Sequence, residues 1–123
     1  MKATLSVKIA PRSMHVAVFG LGYVGTVTAA CLARSGHRVI GTDINSAKVR
    51  MLRHGQSPVV EPGLSELVRE VRSAGRLQAT GRHTEAVLAS EASLVCVGTP
   101  SDHNGGLDLR YVRQVAGHIG DAL

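Results

Sequence analysis

The sequence predicts an α/β domain built on a mainly parallel sheet. Short apolar runs that read as buried strands alternate with segments whose apolar residues recur every three or four positions, which is the pattern of strand–helix repeats. Three glycines, Gly20, Gly22 and Gly25, stand between the first strand-like run and the first helical one. At 123 residues and 44% hydrophobic content the chain suffices for one core, and with aromatics at 2% Val, Leu, Ile and Ala must fill it.

Taken in order, 15–19 reads as a short, fully buried strand. From 24 to 34 the pattern is helical, with Val24, Val27, Cys31 and Leu32 on one face and Gly36 as a stop. A second strand covers 38–42. Asn45 or Ser46 can cap the next helix, which carries 48–53 and ends at Gly55. The stretch "GQSPVVEPGL" (55–64) is a loop whose Pro62 suits the first turn of a helix running to about Ser73, with Leu64, Leu67, Val68 and Val71 inward. A brief strand follows at 77–80, then a short helix opened by Thr84 and Glu85 and ending near Ala89. Another buried strand is expected at 94–97, before the turn formers "GTPSDHNGG" (98–106). The last helix is expected to begin near Asp108 and to turn Leu109, Val112, Val115, Ala116 and Ile119 inward.

The sequence pI of about 9.9 invites a nucleic-acid reading, but the charge is unevenly placed. Lys2, Lys8 and Arg12 lie in the first 13 residues, which contain no acid; removing these three from the 14 basic residues leaves 11 against 9 acids. The body is only mildly basic, and no arginine–aromatic interleaving appears, so no nucleic-acid partner is expected. Residues 1–13 read as a basic, disordered extension too short and too weakly apolar for a secretory signal, and residues 14–123 as the folded domain. Met14, directly before the first strand, can itself serve as a start. No apolar stretch reaches the roughly 20 residues that span a bilayer, so no membrane role and a cytoplasmic location are expected. Cys31 and Cys96 read as two buried thiols in a reducing compartment, with a disulfide or metal pair as the alternative, since no CxxC or His–Cys spacing exists. The six histidines show no metal spacing and are expected on the surface or in loops.

In a strand–turn–helix context, GxGxxG acquires a physical meaning. Gly20 permits the tight turn out of the strand, Gly22 lets a pyrophosphate approach the backbone, and Gly25 lets helix and strand pack closely. The amides of Tyr23 and Val24 then lie at the helix N-terminus, where unpaired N–H groups and the dipole favour an anion. Asp43 ends the second strand 18 residues beyond Gly25, close to the spacing of an acid that holds a ribose diol, and its charge disfavours a 2′-phosphate. Together these features make the domain Rossmann-like and doubly wound, with NAD rather than NADP as cofactor. The competing readings are a glycine turn packed for structure alone and an S-adenosylmethionine enzyme, which also uses a glycine loop and an acid. Lys48 either reaches the adenosine phosphate or only solvates a helix face. Thr99, in "VGTP" (97–100), either touches the cofactor or caps a turn.

Five stretches, "FGLGYVG" (19–25), "GTDIN" with Lys48 (41–48), "GQSPVVEPGL" (55–64), "GRLQAT" (75–80) and "VCVGTPSDHNGGLDLRYV" (95–112), resemble the UDP-glucose/GDP-mannose dehydrogenases, NAD-dependent oxidases of nucleotide sugars. "SPVVEPGL" and "GGLDLRYV" look most like the GDP-mannose branch. The resemblance implies that Tyr23 and Val24 lie on the cofactor pyrophosphate, Asp43 on the ribose, Lys48 nearby, and Thr99 beside the nicotinamide half. It also implies oxidation of a sugar C6 alcohol to a carboxylate, with two NAD reduced and an active-site cysteine capturing the aldehyde. The family's "CLPKD" segment, its catalytic lysine, its substrate domain and its dimerising helix have no counterpart here. Neither Cys31 nor Cys96 is expected to substitute, so no catalytic residue and no metal ligand is assigned. The chain is therefore expected to bind NAD without turnover, the sugar and the homodimer belonging to full-length members. A free-standing module that senses NAD is the alternative in another class.

Overall fold

The computed structural model describes residues 12–98 and 103–123. The elements are β1 (His15–Phe19), α1 (Tyr23–Arg34), β2 (Arg38–Thr42), α2 (Ser46–Arg53), α3 (Leu64–Ser73), β3 (Leu77–Thr80), α4 (His83–Leu88), β4 (Ala92–Val95) and α5 (Arg110–Ala122). Among the described residues one sheet forms, in the order β3-β2-β1-β4 with every pairing parallel. Successive β1 side chains point to opposite faces. Val16 and Val18 join the core built by α1, α2 and α3, whereas Ala17 and Phe19 join a smaller core with Ala86 and Val87 of α4 and Val115 of α5. Helices thus cover both faces, the doubly wound Rossmann-like arrangement that the alternating pattern predicts.

β1, β2 and β3 fall where the sequence places them. Asn45 is the cap of α2, its Oδ1 accepting from Ala47 N at 3.0 Å. Leu64, Val68 and Val71 of α3 are buried, and Leu67 packs beside them.

Several expectations are corrected. The buried face of α1 is Gly25, Thr26, Ala29, Ala30 and Ala33; of the four residues expected to share a face, Val27 and Leu32 pack against that core while only partly buried. Helix and sheet lie so close that only small residues fit; Val24 is 61% exposed, and Val27, Cys31 and Leu32 are half-buried at the rim. Pro62 precedes α3 instead of occupying its first turn, because Gly63 is the N-cap, with φ +79° in the left-handed region. α4 begins at His83, one residue before Thr84, with Arg82 as N-cap and the hydroxyl of Thr80 accepting from Arg82 N at 3.1 Å.

β4 lies two residues earlier than expected. Its ladder pairs Val16 with Ala92 through Phe19 with Val95, and closes with Cys96 N donating to Phe19 O at 2.7 Å. Beyond Phe19 β1 has turned away, so the apolar run cannot continue as a strand. As the outer strand, β4 leaves Leu94 and Val95 partly exposed instead of buried. In α5 only Val115 is buried; Ile119 and Ala122 pack beside it, Val112 is half-buried, and Ala116 faces solvent, as does Leu109, which is the N-cap. Asp108 lies before the helix, its Oδ1 accepting from Arg110 N at 3.0 Å.

The expected disordered extension falls largely outside the described residues. Of its last two, Arg12 pairs with Glu91 at 2.7 Å, and Ser13 Oγ donates to Gly36 O at 2.9 Å. No described helix is long and apolar enough to cross a membrane.

Candidate functional site

The C-terminal ends of β1, β2 and β4 converge on one cleft, as the turn after each strand carries the chain toward a helix. Gly20 leaves β1 at φ +101°, and its N–H donates to Thr42 O at 2.8 Å. A Cβ there would stand 2.8 Å from Cys96 O, so both backbone conformation and space require glycine. Gly25 is sealed from the other side: its Cβ would stand 1.7 Å from Gly20 O. Gly22 differs from both, with ordinary extended backbone (φ −78°, ψ −160°) and nothing within 4 Å of a Cβ. Two glycines therefore close the turn, and the one between them faces open space.

Gly22 is also the N-cap of α1 and has no side chain with which to cap it. Thr26 N–H is the first to bond back, to Gly22 O at 3.0 Å, so the amides of Tyr23 and Val24 precede the helical ladder. The first turn of α1 itself holds no acidic residue that would offset the positive end of the dipole.

Asp43 fastens this loop to β2. Its Oδ2 accepts from Leu21 N at 2.7 Å and its Oδ1 from Asn45 N at 2.8 Å. Each carboxylate oxygen carries a second lone pair, so a carboxylate held by two backbone donors still offers one acceptor site per oxygen. Two acceptors side by side match a vicinal diol.

Above the loop lies a cavity of about 340 Å³. Gly20, Gly22, Asp43 and Lys48 line it, together with Ile44 and His83 and, across the cleft, Cys96, Val97 and Gly98. The far wall is α5, through Tyr111, Gln114, Val115 and His118. Of the residues singled out from sequence, the fold thus brings Gly20, Gly22, Asp43 and Lys48 together. Tyr23 and Val24 open α1 beside them, and Gly25 is buried beneath. Thr99 lies outside the described residues.

The sequence did not reveal the histidines. His83 and His118 sit on α4 and α5, not in loops. Their rings stack at 5.0 Å between centroids and 25° between planes, and the Phe19 ring lies 5.4 Å from that of His83, tilted by 35°. His83 Nδ1 lies 3.1 Å from the buried Thr42 hydroxyl. Burial, reinforced by His118 and opposed by Asp43, holds the His83 pKa below its ordinary value. His83 follows β3 as Gly20 follows β1, so the only available signal was its position at a strand-to-helix turn.

The cysteines also need correction: both are half-buried free thiols, and Cys96 lines the cleft just after β4 instead of lying within it. Burial pushes the Cys96 thiol up, away from the thiolate that nucleophilic chemistry needs. Among the described residues no group of three or more His, Cys, Asp or Glu side chains is placed to hold a metal ion.

A glycine turn at a helix N-terminus, an acid at the end of the second strand and a cleft at the carboxyl edge of a parallel sheet define a dinucleotide-binding domain. Residues 14–123 match the model for the UDP-glucose/GDP-mannose dehydrogenase family, NAD binding domain, and the chain belongs to that family. It is 54% identical over 110 residues to GDP-mannose 6-dehydrogenase of Azotobacter vinelandii, a match covering 89% of this chain and 25% of that protein. Among solved structures, it superposes on a ternary complex of GDP-mannose dehydrogenase from Pseudomonas aeruginosa with a TM-score of 0.87 at 50% identity, over 89% of this chain and 25% of that one. A UDP-glucose dehydrogenase from Pyrobaculum islandicum gives 0.89 at 41% identity, over 94% and 27%. The chain spans about a quarter of the length of the relatives it matches.

Proposed function

We propose that this domain holds NAD in the cleft above residues 20–25 and serves as the cofactor-binding part of an NAD-dependent nucleotide-sugar 6-dehydrogenase. The observation that carries this reading is the contrast among the three glycines. The flanking two are sealed by backbone, while the position between them is open and faces the cavity.

In this reading the pyrophosphate lies against Gly20 and Gly22 and accepts from the amides of Tyr23 and Val24, with Gly25 seating the helix below. Asp43 accepts the adenosine ribose hydroxyls, and Lys48 supplies a positive charge on the adenosine side. Thr99, outside the described residues, is assigned to the nicotinamide half by the family resemblance alone. NAD contributes the hydride acceptor; the described residues bind it, orient it and exclude the 2′-phosphate of NADP. The nucleotide sugar is bound by other parts of the full-length protein, which also form its homodimer. GDP-mannose is the favoured sugar nucleotide, since "SPVVEPGL" and "GGLDLRYV" follow the GDP-mannose branch and that relative is 54% identical.

Calorimetric titration tests the assignment. NAD is expected to bind about tenfold or more tightly than NADP, because a phosphate dianion beside Asp43 adds like-charge repulsion. Equal affinities, or a preference for NADP, would remove Asp43 from the ribose.

A further inference from the structure

We propose a second ligand site, for a small molecule bearing a phosphate or diphosphate group, at the outer edge of the sheet between the C-terminal turn of α2 and strand β3. The site is a cleft of about 570 Å³ lined by Arg50, Arg53, His54 and Arg72 above Leu77, Gln78 and Ala79. No carboxylate lines it.

Two of the guanidinium groups are fixed in place. Arg53 Nε donates to Ala79 O at 2.9 Å, and Arg72 Nε donates to Arg53 O at 2.7 Å. The first bond occupies an unpaired carbonyl of the edge strand, and the second occupies one of the last carbonyls of α2. These bonds use the Nε–H of each side chain, and among the described residues no hydrogen bond engages their terminal NH2 groups. Gly55 packs beside the stem of Arg72, whose Cδ lies 3.6 Å from where a Cβ would stand.

Among the described residues the arginine ion pairs are those of Arg12 with Glu91 and Arg110 with Asp108, and none of these involves Arg50, Arg53 or Arg72. The negative end of the α2 dipole offsets part of this charge, but only within the last turn. Three planar donor forks facing one cleft, two of them held by backbone, match the geometry of a phosphate oxyanion. The exposed Gln78 amide and the neighbouring Leu77 and Ala79 give the body of such a ligand a polar and an apolar contact. Arg53 already occupies the Ala79 carbonyl, so the edge is not free there to accept an added strand, and a small ligand fits better than an extended peptide.

The test uses the Gly22→Val chain, in which anion binding at the α1 loop is blocked, and titrates it with inorganic pyrophosphate at constant ionic strength while backbone amide shifts are recorded. The expected result is saturable movement of amides at 53–55 and 77–79, with affinity lowered about tenfold in Arg50→Gln. Arg50→Gln removes a charge from an exposed side chain with no side-chain hydrogen bond among the described residues, and a thermal melt checks that its fold is retained; Arg72→Gln serves as the stronger variant. Parallel titrations with a sugar monophosphate and a nucleoside diphosphate identify which body the cleft prefers. Unchanged affinity in Arg50→Gln, movement confined to residues 20–24, or an effect reproduced by sodium chloride at equal ionic strength would each overturn the proposal.

Discussion

Gly22 and Gly25 carry the same letter but are held by different forces, and their substitutions should separate. A valine at 22 has room and an allowed backbone, yet its branched side chain would occupy the space where phosphates approach. Gly22→Val should abolish measurable NAD binding while changing stability by about 1 kcal/mol or less. A valine at 25 places carbon 1.7 Å from a carbonyl oxygen, which no rotamer can relieve. Gly25→Val should destabilise by about 3 kcal/mol or more. Thermal melts and NAD titrations of both variants check the ranking, and the reverse order would mean that the turn is mis-registered. Asp43→Ala should weaken NAD binding by about 1.5–3 kcal/mol, the loss of charge-assisted hydrogen bonds to the ribose. Because Asp43 also holds Leu21 N and Asn45 N, its removal should lower the melting temperature too. An unchanged affinity for NAD, measured by calorimetry, would show that the carboxylate only fastens the loop.

The contact between α4 and α5 rests partly on the His83–His118 stack, and its pH dependence follows from the direction of the His83 shift. Folding lowers the His83 pKa below 6.5, so the folded state binds fewer protons than the unfolded chain through this range. Stability contributed here is present above the unfolded pKa and is lost as pH falls from about 6.5 toward the folded value. The melting temperature should drop on acidification from pH 7.5 to 5, and His83→Gln should drop less. An equal slope in both would exclude His83 as the group responsible. These elements also show how far a sequence speaks for its structure. β1, β2, β3 and the N-cap of α2 were legible because their signals are local: an apolar run, a glycine stop, a capping Asn45. The packed face of α1 was not, since alanines carry almost no periodic signal and the reason for them is a sheet brought close by Gly20 and Gly25. β4 was displaced because its start, Ala92–Ser93, reads as polar loop, and only the register with Val16 and Ala17 makes it a strand. The glycine loop and Asp43 were legible as a motif. The α5 wall of the cleft was not, because Tyr111, Gln114 and His118 come to line the same cavity as Asp43 only through the fold.

At the scale of the whole molecule, the cleft combines the glycine loop, the Asp43 carboxylate and a wall that carries His83 and His118. Burial pushes the Cys96 thiol, which lines the cleft, toward its protonated form. Hydride transfer further requires an alcohol held within about 3–3.5 Å of the acceptor carbon, and in the proposed reading other parts of the full-length protein position it. The 123-residue chain should therefore bind NAD but produce no NADH with GDP-mannose or UDP-glucose. Sustained NADH absorbance from the purified chain would reveal a catalytic site in it.

The central claim is that one loop, residues 20–25, and one acid, Asp43, seat the dinucleotide. Backbone amide shifts recorded during titration with NAD test it most directly, because they report each position separately. The largest movements should fall on Gly20, Gly22, Tyr23, Val24 and Asp43, with smaller ones at Ile44 and along the α5 wall at Gln114 and His118, and Gly22→Val should erase them all. Shifts that leave residues 20–25 unmoved while NAD binds elsewhere would contradict the account.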